Sequence, residues 1–185
     1  MCIRDSSQAD DSNLFTVDTV NGGTATDITG RFSNVESLVG GSGEDTFTLN
    51  GGTLTGSVDG GTGGTDTLNL DDNMAMVVVT GGDSGTATGL GTGFANVGNI
   101  NGGDGDDLFD LNGGTLSGAV NGGMGGNSIT LNDGGRSIDV TGADSGTTAD
   151  ITGGFSNVGS FDGGTGDDSF VISTGSLSGS VNGQD

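Results

Sequence analysis

Repetition at two nested periods constrains this chain more than any other feature. FSNVESLVGGSGEDTFTLNGGTLTGSVDGG begins at Phe32, FANVGNINGGDGDDLFDLNGGTLSGAVNGG at Phe94 and FSNVGSFDGGTGDDSFVISTGSLSGSVNG at Phe155, at offsets of 62 and 61 residues. Inside this long period, Gly turns open at Gly22, Gly40, Gly60, Gly81, Gly102, Gly122, Gly142, Gly163 and Gly183, with gaps of 18 to 21 residues. A unit of this size cannot bury an apolar face alone. Near-identical units are stable only when each covers the next.

Between the turns, segments such as TFTLN, TLNL, SITLN and SIDVT alternate apolar and polar residues, the period of a half-buried strand. No window holds a helical period, and Gly every few residues opposes one. Two residues before each turn stands Val20, Leu38, Val58, Val79, Ile100, Val120, Val140, Phe161 or Val181. This predicts an inward ladder of one apolar residue per coil. Leucine-rich repeats are excluded, because the LxxLxL core is missing. The expected fold is all-β: a parallel β-solenoid, β-helix or β-roll-like, of ~20-residue coils in a three-coil super-repeat. Eight or nine coils at ~4.8 Å each give a rod of ~40 Å.

The organisation follows the repeats: a partial first repeat over 7–31, super-repeats over 32–93 and 94–154, and a truncated third over 155–185, all one continuous solenoid. Residues 1–6, MCIRDS, match nothing that follows. Their back-translation resembles a transposon-end sequencing adapter, and they are read as an artefact, which sets aside Cys2. SVNGQD stops where an earlier copy reads AVNGGMGG, so the chain is expected to be a slice of something longer. Strand edges open at both ends then favour end-to-end association.

Composition narrows the function. There are 43 Gly, 25 acidic residues, three Arg, no Lys and no His, for a formal charge of −22. Three cations cannot grip nucleic acid or anionic lipid, no run approaches the ~18 apolar residues of a membrane span, and chemistry that needs His or Lys is excluded. Leu, Ile, Val and Phe total 41 of 185, a level near that of disordered chains. A solenoid, however, needs only a thin inward ladder.

One motif carries chemistry. GGSGEDTFT (40–48), GGDGDDLFD (102–110) and GGTGDDSFV (163–171) all fit GGxGxDxUx. Here the sequence resembles the hemolysin-type calcium-binding repeat proteins, whose β-roll is built on that nonapeptide. The resemblance implies Ca²⁺, which takes six to eight oxygen ligands. The implied ligands are Asp45, Asp107 and Asp168, with the carbonyls of Gly41, Gly43, Gly103, Gly105, Gly164 and Gly166. In that family the nonapeptide runs in tandem, whereas here the following coil reads GGTGGTDTL (60–68), with one extra residue before Asp66, or GGMGGNSIT (122–130), with Asn127 in place of Asp. Asp45 with Asp66 is thus the best turn pair, Asp107 with Asn127 is weaker, and Asp168 lacks a partner. Third coils, GGDSGT and GADSGT, keep only Asp83 and Asp144. The competing reading makes GGxGxD a solenoid corner, with Asp bonded to its own backbone as an Asx-turn. Crowded carboxylates on a narrow rod repel one another, which favours the cation.

Other features are read as structural. Phe32/Val35, Phe94/Val97 and Phe155/Val158 fill the core, Met74, Met76 and Met124 fill gaps, and Asn50, Asn69, Asn112 and Asn132 form partial ladders. Asp106-Asp107 and Asp167-Asp168 are strand neighbours that point to opposite faces, so no paired-acid enzyme is expected. The pattern is similar to repeat regions of bacterial autotransporter-like adhesins. It implies an extracellular or cell-surface rod or spacer stabilised by Ca²⁺, packed on neighbouring repeats of the same long chain, with a host-surface or matrix ligand elsewhere. The alternatives are a lateral surface for glycan, ice or self-association, and a metal-free passive stalk.

Overall fold

The computed structural model describes residues 12–26, 28–71 and 73–184, and the backbone of Cys2–Arg4. Among these residues there is no helix. The chain opens with β1 (Cys2–Arg4), β2 (Leu14–Thr19), β3 (Gly22–Ala25) and β4 (Phe32–Ser33). The next period holds β5 (Ser37–Ser42), β6 (Thr46–Leu49), β7 (Ser57–Thr62), β8 (Thr67–Asn69), β9 (Met76–Gly81), β10 (Ser84–Ala87) and β11 (Gly93–Ala95). The third holds β12 (Asn99–Asn101), β13 (Leu108–Asp110), β14 (Val120–Asn121), β15 (Ser128–Thr130), β16 (Ser137–Gly142), β17 (Ser145–Thr148) and β18 (Ile151–Ser156). The last strands are β19 (Ser160–Asp162), β20 (Ser169–Ile172) and β21 (Val181–Asn182).

These strands form two sheets rich in parallel pairs. The first runs β1-β5-β7-β11-β10-β9-β13-β15-β19-β21, and the second β20-β16-β17-β18-β14-β12-β8-β6-β2-β3-β4. From β5 to β9 each strand lies in the sheet opposite its predecessor, and strands about 20 residues apart pair in parallel, as Leu38 with Val58 and Phe47 with Leu68. That is the ~20-residue periodicity read from the sequence.

The third segment of each period is not a further parallel coil. β2-β3-β4, β9-β10-β11 and β16-β17-β18 are antiparallel three-stranded meanders. Asn21, Asp83 and Asp144 turn the chain back at φ of 54°, 52° and 47°, a left-handed conformation that Asn and Asp tolerate better than other side-chain-bearing residues. Each period therefore has four single strands and one meander, an odd number of steps between sheets. Successive periods swap sheets, and the meanders fall in the second, the first and the second sheet.

Alternation along the strands decides what is buried. β5 and β6 follow a strict in–out pattern, and the inward residues of both sheets join in one core cluster. Phe15 and Phe47 stack in it, ring centroids 5.0 Å apart and 4° from parallel. Seven members of the expected ladder are buried, from Leu38 to Phe161. Val20 and Val181 are not, at 68% and 43% exposure. Val20 sits at the meander turn, and the true equivalent of Val79 and Val140 is Val17, fully buried in β2. Val181 lies in the last strand of its sheet. The Phe and Val pairs of the FxNV motifs are buried as expected, but Met74, Met76 and Met124 are exposed rather than gap-filling.

β1 pairs in parallel with β5, Ile3 opposite Leu38, so residues set apart as foreign contribute a rung to the first sheet.

Candidate functional site: the GGxGxD corners

Each GGxGxD segment turns the chain from one sheet to the other. Its second and fourth positions need glycine for their backbone: Gly41 and Gly43 have φ of 117° and 112°, Gly103 and Gly105 99° and 133°, Gly164 and Gly166 76° and 118°. The first glycine is required for a different reason. A Cβ on Gly40, Gly102 or Gly163 would collide with the Oδ2 atom of Asp45, Asp107 or Asp168, because each carboxylate folds back over the glycine that opens its own turn.

That fold-back aims the carboxylate at the neighbouring rung. Asp45 Oδ1 accepts the Asn13 backbone N–H at 2.8 Å and the Asn13 side-chain amide at 3.0 Å. Asp107 Oδ1 accepts the Ala75 N–H and Asp168 Oδ1 the Arg136 N–H, both at 2.7 Å. On the other side, the Asp45 N–H donates to Asp66 Oδ1 at 2.7 Å, and the Asp107 N–H to Asn127 Oδ1 at 2.9 Å. Asp45, Asp66, Asp107 and Asn127 are all buried. The corners are thus stitched into columns, Asn13–Asp45–Asp66, Ala75–Asp107–Asn127 and Arg136–Asp168, by side-chain oxygens that accept from the adjacent rung rather than from their own turn. Asx-turns do occur one step earlier: Asp59, Asn121 and Asp162 accept from the N–H groups of Gly61, Gly123 and Gly164 at 3.0, 3.1 and 3.2 Å.

The sequence brings the expected pairs together, Asp45 beside Asp66 and Asp107 beside Asn127, but it hides the third column member. Asn13, Ala75 and Arg136 share nothing chemically, because only a backbone N–H is asked of them. Their spacing is the one available signal, since they recur at the long period. A second column was also missed. Asn21, Asp83 and Asp144, at the meander turns, accept the N–H groups of Thr55, Ser117 and Ser178 at 2.8, 2.7 and 2.6 Å.

The remaining carboxylate oxygens face acceptors. Asp107 Oδ2 and Asp168 Oδ2 are buried without a hydrogen-bond partner, and the Gly122 and Gly183 carbonyl oxygens crowd the same points. Where Asn127 replaces Asp, the amide nitrogen donates to the Asn157 and Met124 carbonyls at 2.9 and 3.2 Å. Burial pushes the Asp66 and Asp107 carboxyls above the usual carboxylate range, partly offset by the Asp45 and Ala75 N–H groups they accept.

These atoms are hard oxygens of the kind Ca²⁺ prefers, but the set falls short of six to eight ligands. One oxygen of each carboxylate is engaged by an amide, the Gly103 carbonyl accepts the Met124 N–H at 2.9 Å, and the Gly40 carbonyl accepts the Asn13 amide at 3.3 Å. Glu44, Asp104, Asp106 and Asp167 are exposed, and among the described residues no three acidic side chains converge on one point. As arranged, the corner does not fit a Ca²⁺ ion shared between turns. Its geometry is that of a hydrogen-bonded staple. Compared with models of known families, with curated proteins and with solved structures, the chain matches none.

Proposed function

We propose that this chain is a β-solenoid spacer, a passive structural segment of a larger secreted or cell-surface bacterial protein. One observation carries the reading: equivalent residues in successive periods do the same structural work. Asp45, Asp107 and Asp168 each accept one backbone N–H from the rung 32 residues away, as Asn21, Asp83 and Asp144 do from 34 residues away. A catalytic or recognition site breaks such symmetry, whereas a spacer needs only length and stiffness. The charge of −22 keeps a repetitive β surface soluble. The absence of Cys over residues 7–185 suits an oxidising exterior without requiring one.

A spacer tolerates a change in repeat number. Excising 94–154, one whole period, should leave a chain with the parent's β-type circular dichroism and a single cooperative melt. A chain that fails to fold would sink the modular reading. Calcium is the rival, supported by the buried Oδ2 atoms of Asp107 and Asp168. Melting in millimolar Ca²⁺ and in chelator should give superimposable curves for a hydrogen-bonded staple, and a Ca²⁺-dependent rise in Tm would install the rival instead.

A further inference from the structure

The last period leaves core positions uncovered. Val181 and Ile172 are 43% and 53% exposed, whereas their equivalents one period earlier, Val120 and Leu111, are 0% exposed. Phe170 is half-buried where Phe47 and Phe109 are enclosed. The internal residues are covered by the next strands of the stack. β18 lies on β14, Phe155 opposite Val120 and Ser156 opposite Asn121, while β15 lies on β13, Ile129 opposite Phe109.

The opposite end of the sheets carries the matching surface. β4 closes the second sheet and is the equivalent of β18, and of β11, which sets Phe94 opposite Val58. β1 closes the first sheet and pairs with β5 as Cys2 with Ser37, Ile3 with Leu38 and Arg4 with Val39. That is the register β8 holds on β12, Thr67 with Asn99, Leu68 with Ile100 and Asn69 with Asn101. β15 holds it again on β19. β1 therefore stands in the place of a β8-type strand, with its outer edge open.

We propose that these two ends bind each other, so that the chain associates head to tail with a second copy of itself. β21 of one copy adds to β4 of the next, Val181 opposite Phe32 and Asn182 opposite Ser33, repeating the β14–β18 pairing. β20 adds to β1, Ser169 opposite Cys2 and Phe170 opposite Ile3, repeating the β13–β15 pairing. The first sheet of one copy continues into the second sheet of the next, the same swap that successive periods make within the chain, so both pairings form together. The contact is heterologous and does not close on itself, so it extends into chains of copies. It rests on strand register and is independent of the spacer reading. Open edges supply unpaired backbone groups and the uncovered core supplies apolar area. Repulsion between two chains of charge −22 opposes it, screened over ~8 Å at physiological salt.

Sedimentation velocity on the 185-residue chain across protein and NaCl concentration tests this. The expected result is a series of species that lengthens with both. Val181→Asp places a carboxylate in the junction and should weaken association by more than about tenfold. Ile172→Asp, tested beside it, should do the same. Both side chains are already half exposed, so their circular dichroism should match that of the parent chain. A chain lacking residues 1–4 has a blocked head and Val181→Asp a blocked tail, so mixing the two should give dimers that grow no further. A monomer at every concentration and salt would overturn the proposal, as would a dimer that stops at two and ignores both substitutions.

Discussion

The Asp66 corner and the Asn127 corner occupy the same position of successive periods and differ by one atom. Each offers Oδ1 to the N–H of the preceding corner, Asp45 at 2.7 Å and Asp107 at 2.9 Å. The other terminal atom separates them. Asn127 Nδ2 donates to Asn157 O at 2.9 Å. Asp66 places Oδ2 at the equivalent point, where a Cβ on Gly60 would collide with both Oδ2 and the Asn96 carbonyl. The corner asks for an acceptor on one side and a donor on the other. Asn supplies both at every pH, and Asp does so only when protonated. The residue that made the motif resemble a cation site is thus the less suited of the two to the hydrogen bonding found there.

The largest effects should come where the two corners are alike. Gly60→Ala and Gly122→Ala each force a Cβ into backbone carbonyls, Asn96 O in one and Asn157 O in the other, and each should cost about 3 kcal/mol. Urea unfolding that shows one substitution tolerated and the other not would break the equivalence of the corners.

Where they differ, reciprocal exchanges sharpen the comparison. Asn127→Asp turns a donor to two carbonyls into an acceptor facing them and should cost about 2 kcal/mol at pH 7. Asp66→Asn supplies the missing donor and should stabilise by about 1 kcal/mol. Both are read from urea midpoints at constant m. A loss of stability in Asp66→Asn, present in Ca²⁺ and absent in chelator, would make Asp66 a ligand after all.

How much of this the sequence discloses depends on what each position demands. The strands, the buried Leu38-to-Phe161 ladder and the pairing of Asp45 with Asp66 are legible, because an inward residue must be apolar and a corner must be Gly and Asx. The meanders are not, because MVVVTGGDSGTATG alternates like any strand pair. Only Asp83 at positive φ reveals the reversal. Ala75 and Arg136 are illegible for another reason: a backbone N–H leaves no mark on residue type. Val20 misled because it precedes a glycine pair, although Val17 holds the equivalent inward place.

The smallest expected effect, and the one that separates the two corners without altering a packed glycine, is pH. Burial raises the carboxyl pKa of Asp66 and Asp107 in the folded chain above the unfolded value of about 3.9. Between those values the folded state holds more protons, so stability falls as pH rises. The contribution of these two groups is fully present below the unfolded value and is lost as pH rises through the folded one. Asp18, lowered by its hydrogen bond with Arg31, and Asp133, lowered by the Thr165 backbone N–H it accepts, act in the opposite sense. Their contribution is present above the unfolded value and lost as pH falls through the folded one. Both are screened by solvent and count for little. Acidification from pH 7 toward about pH 4 should therefore raise Tm by a few degrees, helped by the loss of self-repulsion. Asp66→Asn removes one of the two protonating corners, so its Tm should climb less steeply over the same window. Parallel climbs in the parent and the variant would assign the whole effect to net charge and leave the Asp66 corner indistinguishable from the Asn127 corner.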